Sequence, residues 1–200
     1  MPQAQRNIFQ LPTQTVSVLH IPPDSPRRQE AQDFIKRIFS DRYNAQVTTF
    51  TPNLMVLEQR GAIVAAAGWR SAQETPLFLE RYLDEPIEQA MAHLAPCPIG
   101  RHRIVEVGHL AAQKPGSSLF LFRALASHLH AEGFEWVAST ATQELIGLFA
   151  KLGLPPLALA AANPERLNGQ ADHWGSYYDT QPIVAVGKIK AALQRMRVQA

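Results

Sequence analysis

RIVEVGHLAAQKPGSS, residues 103–118, begins as an apolar stretch of strand type and ends in Lys, Pro, Gly and two Ser. An amphipathic run follows at once. SSLFLFRALASHLHAEG (117–133) carries apolar residues at 119, 122, 125, 126 and 129, a helical stripe, and Gly133 ends it. A strand that turns through glycine into a helix leaves the first helical amides without internal partners, and the helix dipole favours an anion there. Gly116 keeps a Cβ out of the approach, Ser117 and Ser118 can donate, and Lys114 adds positive charge. A phosphate or pyrophosphate suits such a turn. A plainer reading also stands, in which Ser117 only caps its helix after a Pro-Gly turn.

Elements on either side give the chain order. TVSVLHI (15–21) alternates as a strand, and PPDSP breaks it. Ser25 is placed to cap a helix with Pro26 at its first position, and apolar residues at 31, 34, 35, 38 and 39 continue the stripe. Residues 53–70 read as a hairpin turning at Gln59-Arg60-Gly61. A short apolar piece and a helix with Pro86 in its first turn fill 77–95. Strand 134–140, helix 142–154 ending at Gly153, strand 182–189 and a closing helix complete the order. The expectation is an α/β domain whose mixed sheet is antiparallel early and parallel later, with right-handed crossovers at 117–133 and 142–154. A single domain over residues 1–200 is expected, with 1–14 a flexible or loosely packed leading segment.

Composition narrows the function classes. Hydrophobic residues make up 46% and charged residues 18%, so the chain is expected to fold. A net charge of +2, with no basic cluster larger than Arg101-His102-Arg103, argues against nucleic acid as a partner. The single Cys97 excludes an internal disulfide and fits a reducing compartment. No signal-peptide pattern and no span of ~18 apolar residues is visible, which leads to an expected cytoplasmic location. His128 and His130 fall on opposite sides of a helix, so no metal site is expected. Cys97, flanked by prolines, has no readable base partner for a nucleophilic role.

QKPGSS (113–118) resembles the Q/R-x-x-G-x-G/A turn of the GNAT acyltransferase superfamily, with Gln113 and Gly116 matching and Ser118 in place of the final Gly or Ala. LFAKLGL (148–154) is similar to the LYEKLGF segment of that family. LFLERYLDEPIE (77–88), RIVEVGHLAA, TATQELIGLFAKLGL (140–154) and HWGSYYDTQPIVAVG (173–187) resemble the bacterial thermostable haemolysin family, itself GNAT-like. EVGHLAA is also faintly similar to the E-x-S-R-F strand of acyl-homoserine-lactone synthases. The resemblance implies a GNAT-like fold with splayed central strands and acyl transfer from an acyl-CoA or acyl carrier protein thioester to a small amine, by direct attack. It places the pyrophosphate on Gln113, Lys114, Gly116, Ser117 and Ser118, and the donor carbonyl near the backbone of His109, Leu110 and Ala111. Phe149 stands where many GNAT enzymes have a tyrosine that protonates the leaving thiolate.

The residues themselves offer candidates for the remaining roles. Glu106, set among Val105, Val107 and Leu110, reads either as a base raised by burial or as a structural carboxylate paired with Arg103 or Arg81. Glu106 and His109 point to opposite faces of a regular strand; only a bulge at Gly108 would bring them together. His109 reads as a base or as a satisfied histidine of the core or edge. His173, Trp174, Tyr177 and Tyr178 can all donate, and Tyr177 or Tyr178 is the candidate acid; Trp174 is a candidate for lining an acyl or acceptor pocket and reads more plainly as a packing residue. Glu80 and Arg81 are candidates for holding a cationic acceptor, and the apolar loop LPPLALAAANP (154–164) for admitting an acyl chain. Arg101, His102, Arg103 and Lys114 would meet an acidic carrier protein. The alternative is a membrane-active or regulatory protein that keeps the fold without catalysis, which the loss of the usual tyrosine favours.

Overall fold

The computed structural model describes residues 6–11 and 14–198, with side chains from 16 to 114 and 116 to 196. The chain divides into two compact units, Met1–Trp69 with Gly108–Leu125, and Arg70–Val107 with Ala126–Ala200.

In the first unit, β1 (Arg6–Leu11), β2 (Gln14–Ile21), β3 (Asn53–Gln59) and β4 (Ala62–Ser71) form successive antiparallel pairs. Residues 6–11 thus pair as a strand within the leading segment expected to be loose; residues 1–5 and 12–13 of that segment lie outside the described residues. The β3–β4 hairpin turns at Arg60-Gly61, whose φ angles are 54° and 79°. Two positive φ angles make a type I′ turn, whose twist matches the flanking strands. Helix α1 (Arg28–Tyr43) buries Ala31, Phe34, Ile35 and Phe39. Ser25 caps the turn before it, where its Oγ accepts from the Arg27 amide at 3.3 Å. The Arg28 guanidinium ties the helix start to β2 and β3 by donating to the carbonyls of Ile21, Pro52 and Thr51. Gly68 is required sterically, since a Cβ there would stand 2.1 Å from Thr51 Oγ1.

In the second unit, the lower half of β5 (Ile104–Ala112) lies parallel to β6 (Trp136–Ala141), and α3 (Pro115–Ala131) is the connection between them. The ladder holds only Ile104–Trp136, Val105–Val137 and Glu106–Ala138, then ends although both strands continue. The mixed sheet, antiparallel early with parallel central strands and flanked by helices, is GNAT-like. Thr142 caps α4 (Gln143–Lys151) by accepting from the Leu145 amide. The segment read as an apolar loop at 154–164 holds a strand instead, β7 (Leu157–Ala161). β8 (Ile183–Lys188) is antiparallel to both β6 and β7, so α4 crosses from β6 to a parallel strand one place removed, and β8 fills the gap. The late strand therefore returns antiparallel rather than parallel. α5 (Ile189–Val198) closes the chain. Leu79, Tyr82, Ile87, Met91, Ile104, Trp136, Leu167 and Val184 lie in one buried cluster. The short apolar piece at the start of 77–95 forms a 3-10 turn (Phe78–Tyr82), and the helix expected after it is a single helical turn (Ile87–Ala90) entered at Pro86 and followed by a second 3-10 turn (Ala92–Leu94).

Candidate active site

In the first unit, β5 leaves the regular strand conformation at His109, whose φ is 52°. A non-glycine residue there is held against a local cost of about 1 kcal/mol or more, and such positions cluster at functional sites. The departure falls at His109, one residue beyond Gly108, where a bulge was the condition for Glu106 and His109 to share a face. The His109 ring stacks on Phe50 at 5.3 Å, and its Nε2 donates to the Thr49 carbonyl at 3.1 Å. Beyond it, Ala111 is fully buried and Leu110 half-buried.

The strand then turns into α3. The Gln113 amide donates to the Val64 carbonyl, and the Ser117 amide folds back to the Lys114 carbonyl at 3.1 Å. These two amides are engaged within the protein, so less bare backbone faces out of the turn than the sequence suggests. Gln113, Lys114 and Gly116 are exposed, Ser117 is half-buried, and Ser118 is buried. A Cβ at Gly116 or at Gly108 would meet nothing within 4 Å. The turn therefore carries one cationic side chain, two small residues and open space.

In the second unit, Glu106 is buried to 5% exposure. Its Oε2 accepts from the Phe78 amide at 2.9 Å, and its Oε1 from the Leu79 amide at 3.0 Å. Arg70 Nε stands 3.2 Å from Oε2 as an ion pair. The basic partner is thus Arg70 and neither Arg103 nor Arg81. Arg103 pairs with Glu135, while Arg81 donates to Gln170 and lies over the Phe78 ring. Burial raises the Glu106 carboxyl above the ordinary range, against the opposing pull of the Phe78 amide, Arg70 and the Leu79 amide.

Glu80 has the reverse balance. Burial pushes its carboxyl up, but Arg101 and the amides of Ile87 and Leu77 outweigh it and hold the group below the usual carboxylate range. Arg101 Nη1 lies 2.6 Å from Glu80 Oε1 and 2.6 Å from Glu88 Oε2, and Nε donates to the Ala72 carbonyl. Glu80 and Arg101 border an open cavity of about 520 Å³ together with Thr75, Asp84, Glu85 and Glu88.

A third cluster is aromatic. The segment Gln170–Thr180 is a 3-10 run kinked at Gly175, whose φ of 51° and ψ of −128° only glycine adopts freely. Tyr178 Oη lies 2.5 Å from Tyr82 Oη. Tyr177 Oη donates to the Thr140 carbonyl at 3.0 Å. Trp174 packs at 5.8 Å from Phe78 and 5.6 Å from Tyr177. Phe78 thereby links the Glu106 anchor to the aromatic cluster through its own backbone and ring. Arg70, Phe78 and Tyr82 were missed as site residues. Tyr82 carried a weak sequence signal, as a hydroxyl inside FLERYLDEP; Arg70 and Phe78 carried none.

A family model described as "Thermostable hemolysin" matches residues 21–193. No curated protein matches by sequence. Among solved structures, the acyl-homoserine-lactone synthase LasI aligns with a TM-score of 0.59 at 11% identity, covering 92% of this chain and 94% of its own. MesI, a CoA-dependent acyl-homoserine lactone synthase, aligns at 0.56 and 13% identity, covering 90% and 93%. FeeM, an N-acyl amino acid synthase from uncultured soil microbes, aligns at 0.56 and 11% identity, covering 97% and 94%. At these identities the likeness is one of fold.

Proposed function

The chain belongs to the thermostable hemolysin family, and from that premise we propose that it is an N-acyltransferase. An acyl group moves from a CoA or acyl-carrier-protein thioester to a small amine by direct attack. Acyl-transferring synthases share its fold, which supports the reaction class. The observation that carries the reading is the exit of β5, where the backbone breaks at His109 and gives way to an open, cationic turn at 113–117.

In this reading Lys114, Gly116 and Ser117 meet the phosphates of the carrier, with Gln113 and Ser118 shaping the turn. The thioester carbonyl lies along the backbone at Leu110 and Ala111, where the left-handed residue before them redirects the strand. Glu106 draws the surplus proton from the amine, through a water, with a carboxyl that burial has made a better base. His109 serves by its backbone conformation, because its ring is engaged by Thr49 and Phe50. Tyr178 is the acid for the departing thiolate. Tyr177 has its proton on Thr140 and supports the cluster. Trp174, with Arg81 and Glu80, borders the acceptor. Acyl-CoA and acyl carrier protein both remain donors in this account, and no metal takes part in the steps described.

A second reading, a non-catalytic or membrane-active protein, draws on Phe149, which lacks the hydroxyl that the family resemblance implies. Among the described residues no helix is long and apolar enough to cross a membrane. One experiment separates the two. Purified protein is incubated with acyl-CoA and acyl-carrier donors of varied chain length against an amine panel, and thiol release is followed beside thermal stability. Binding at a hundredfold excess over Kd stabilises by about 2.7 kcal/mol. Thiol release that depends on amine supports transfer. No thermal shift with any donor, together with red-cell lysis by the pure protein, overturns it.

A further inference from the structure

Tyr82 is 1% exposed, and among the described residues its hydroxyl has one hydrogen-bond partner, the hydroxyl of Tyr178 at 2.5 Å. Two phenols in contact share one hydrogen bond, so one proton lies between them and the other must point elsewhere. Were Tyr178 the donor, the proton of Tyr82 would be left inside the core without an acceptor, at the full desolvation cost of a buried polar group. Tyr178 is only half-buried and can direct its own proton outward. Satisfaction of the buried partner therefore decides the direction. Tyr82 donates, Tyr178 accepts, and the free proton of the pair belongs to Tyr178.

The surroundings hold Tyr82 in this role. Arg166 Nη1 donates to the Tyr82 carbonyl at 2.6 Å and its Nη2 pairs with Asp84. The ring of Tyr82 meets Phe78 edge-on at 6.1 Å. Titratable and charged groups facing the pair are Arg81, from the same turn, and Tyr177, from the segment that carries Tyr178. Tyr177 is itself turned to Thr140. Burial raises both hydroxyls of the pair, and the bond from Tyr82 pulls Tyr178 back down.

We propose that Tyr82 is a positioning residue that fixes the hydroxyl of Tyr178 with its proton free and stabilises the phenolate left when that proton is given up. The proposal rests on the acyl-transfer reading above. There the amine lone pair forms the C–N bond, the C–S bond breaks with its electrons on sulfur, and sulfur takes the Tyr178 proton. The nitrogen's surplus proton leaves through Glu106 and solvent, and solvent reprotonates the phenolate. No redox partner is needed.

The test uses the full-length chain as Tyr82→Phe, Tyr178→Phe and the double variant, with two readouts. In urea unfolding, Tyr178→Phe strands a buried donor, so its midpoint falls at least twice as far as that of Tyr82→Phe. The double variant recovers part of that loss, because no donor remains to be stranded. Equal midpoints for the single variants, or a double variant less stable than both, overturn the assigned direction whatever the protein acylates. In thiol release, Tyr178→Phe loses about 100-fold or more. Tyr82→Phe is slowed by a smaller factor than Tyr178→Phe, since the acid is still present but its phenolate has lost a donor, and the alkaline limb of its pH profile moves upward because Tyr178 has lost the bond that lowered it. An unmoved limb overturns the positioning role. Absence of thiol release from the wild-type protein is a failure of the parent reading, and the acid role falls with it. The midpoints then decide the direction of the bond by themselves.

Discussion

Glu80→Gln tests whether the turn at 77–88 is held by charge. Glu80 accepts from the Leu77 amide at 2.7 Å, the Ile87 amide at 2.9 Å, and Arg101 at 2.6 and 3.1 Å. The side chain is 14% exposed and that of Arg101 is 27% exposed, so the pair is poorly solvated. Glutamine keeps one acceptor oxygen and turns two N–H groups toward a donor. At least one amide or one arm of Arg101 then faces another donor. Bonds to charged groups contribute about 1.5–3 kcal/mol each, and breaking a buried pair costs about 3–5 kcal/mol. Arg101 keeps Glu88 and the Ala72 carbonyl, which reduces the loss to about 3 kcal/mol. At roughly 2–4 °C per kcal/mol for a chain of this size, Tm falls by about 6–12 °C. The pH dependence follows from the lowered carboxyl pKa in the folded protein. A group lowered on folding stabilises above its unfolded value of about 4.3 and loses that contribution as pH falls through the folded value. The gap between wild type and variant is therefore full at pH 7 and closes in acid. Thermal unfolding of both proteins from pH 7 down to pH 3 reads it. A gap below 0.5 kcal/mol at pH 7, a size typical of a neutral surface substitution, or a gap that stays constant into acid, refutes the reasoning.

Three further outcomes follow from single positions. Gly116→Val meets no neighbour within 4 Å, so Tm should change little while stabilisation by CoA is lost; retained CoA stabilisation would remove the phosphate site from that turn. Gly68→Ala drives a Cβ against Thr51 Oγ1 at 2.1 Å and Leu54 at 2.9 Å, while Gly108→Ala meets open space. Urea unfolding should show the first destabilised by about 2 kcal/mol or more and the second by less than about 1 kcal/mol. His109→Gly should be more stable than His109→Ala by about 1 kcal/mol, because both lose the Phe50 stack but only alanine keeps the cost of a φ of 52°. Chemical denaturation of the two variants side by side measures it.

The parts legible in the sequence are those governed by a few neighbouring residues. Arg60-Gly61, Gly133 and Gly153 all have positive φ, and each ends an element where turn chemistry placed the end. The buried stripe of α1 and the strand-to-helix exit at 103–118 follow from side-chain periods of 3.6 and 2. Local steric rules act in the unfolded chain and the folded one alike, so they can be read without a partner in view. Tertiary structure decided the rest. Glu106 and Phe78 are 28 residues apart and Tyr82 and Tyr178 are 96 apart, distances over which no local pattern carries information. The choice of Arg70 over Arg103 or Arg81 came from which strands lie side by side, since the Ala72 amide donates to the Ile104 carbonyl. β8 entered antiparallel because LALAA formed a strand of its own beyond it. A short apolar run is equally suited to a loop that borders a pocket and to an edge strand, and only the backbone hydrogen bonds of β8 settled which it became.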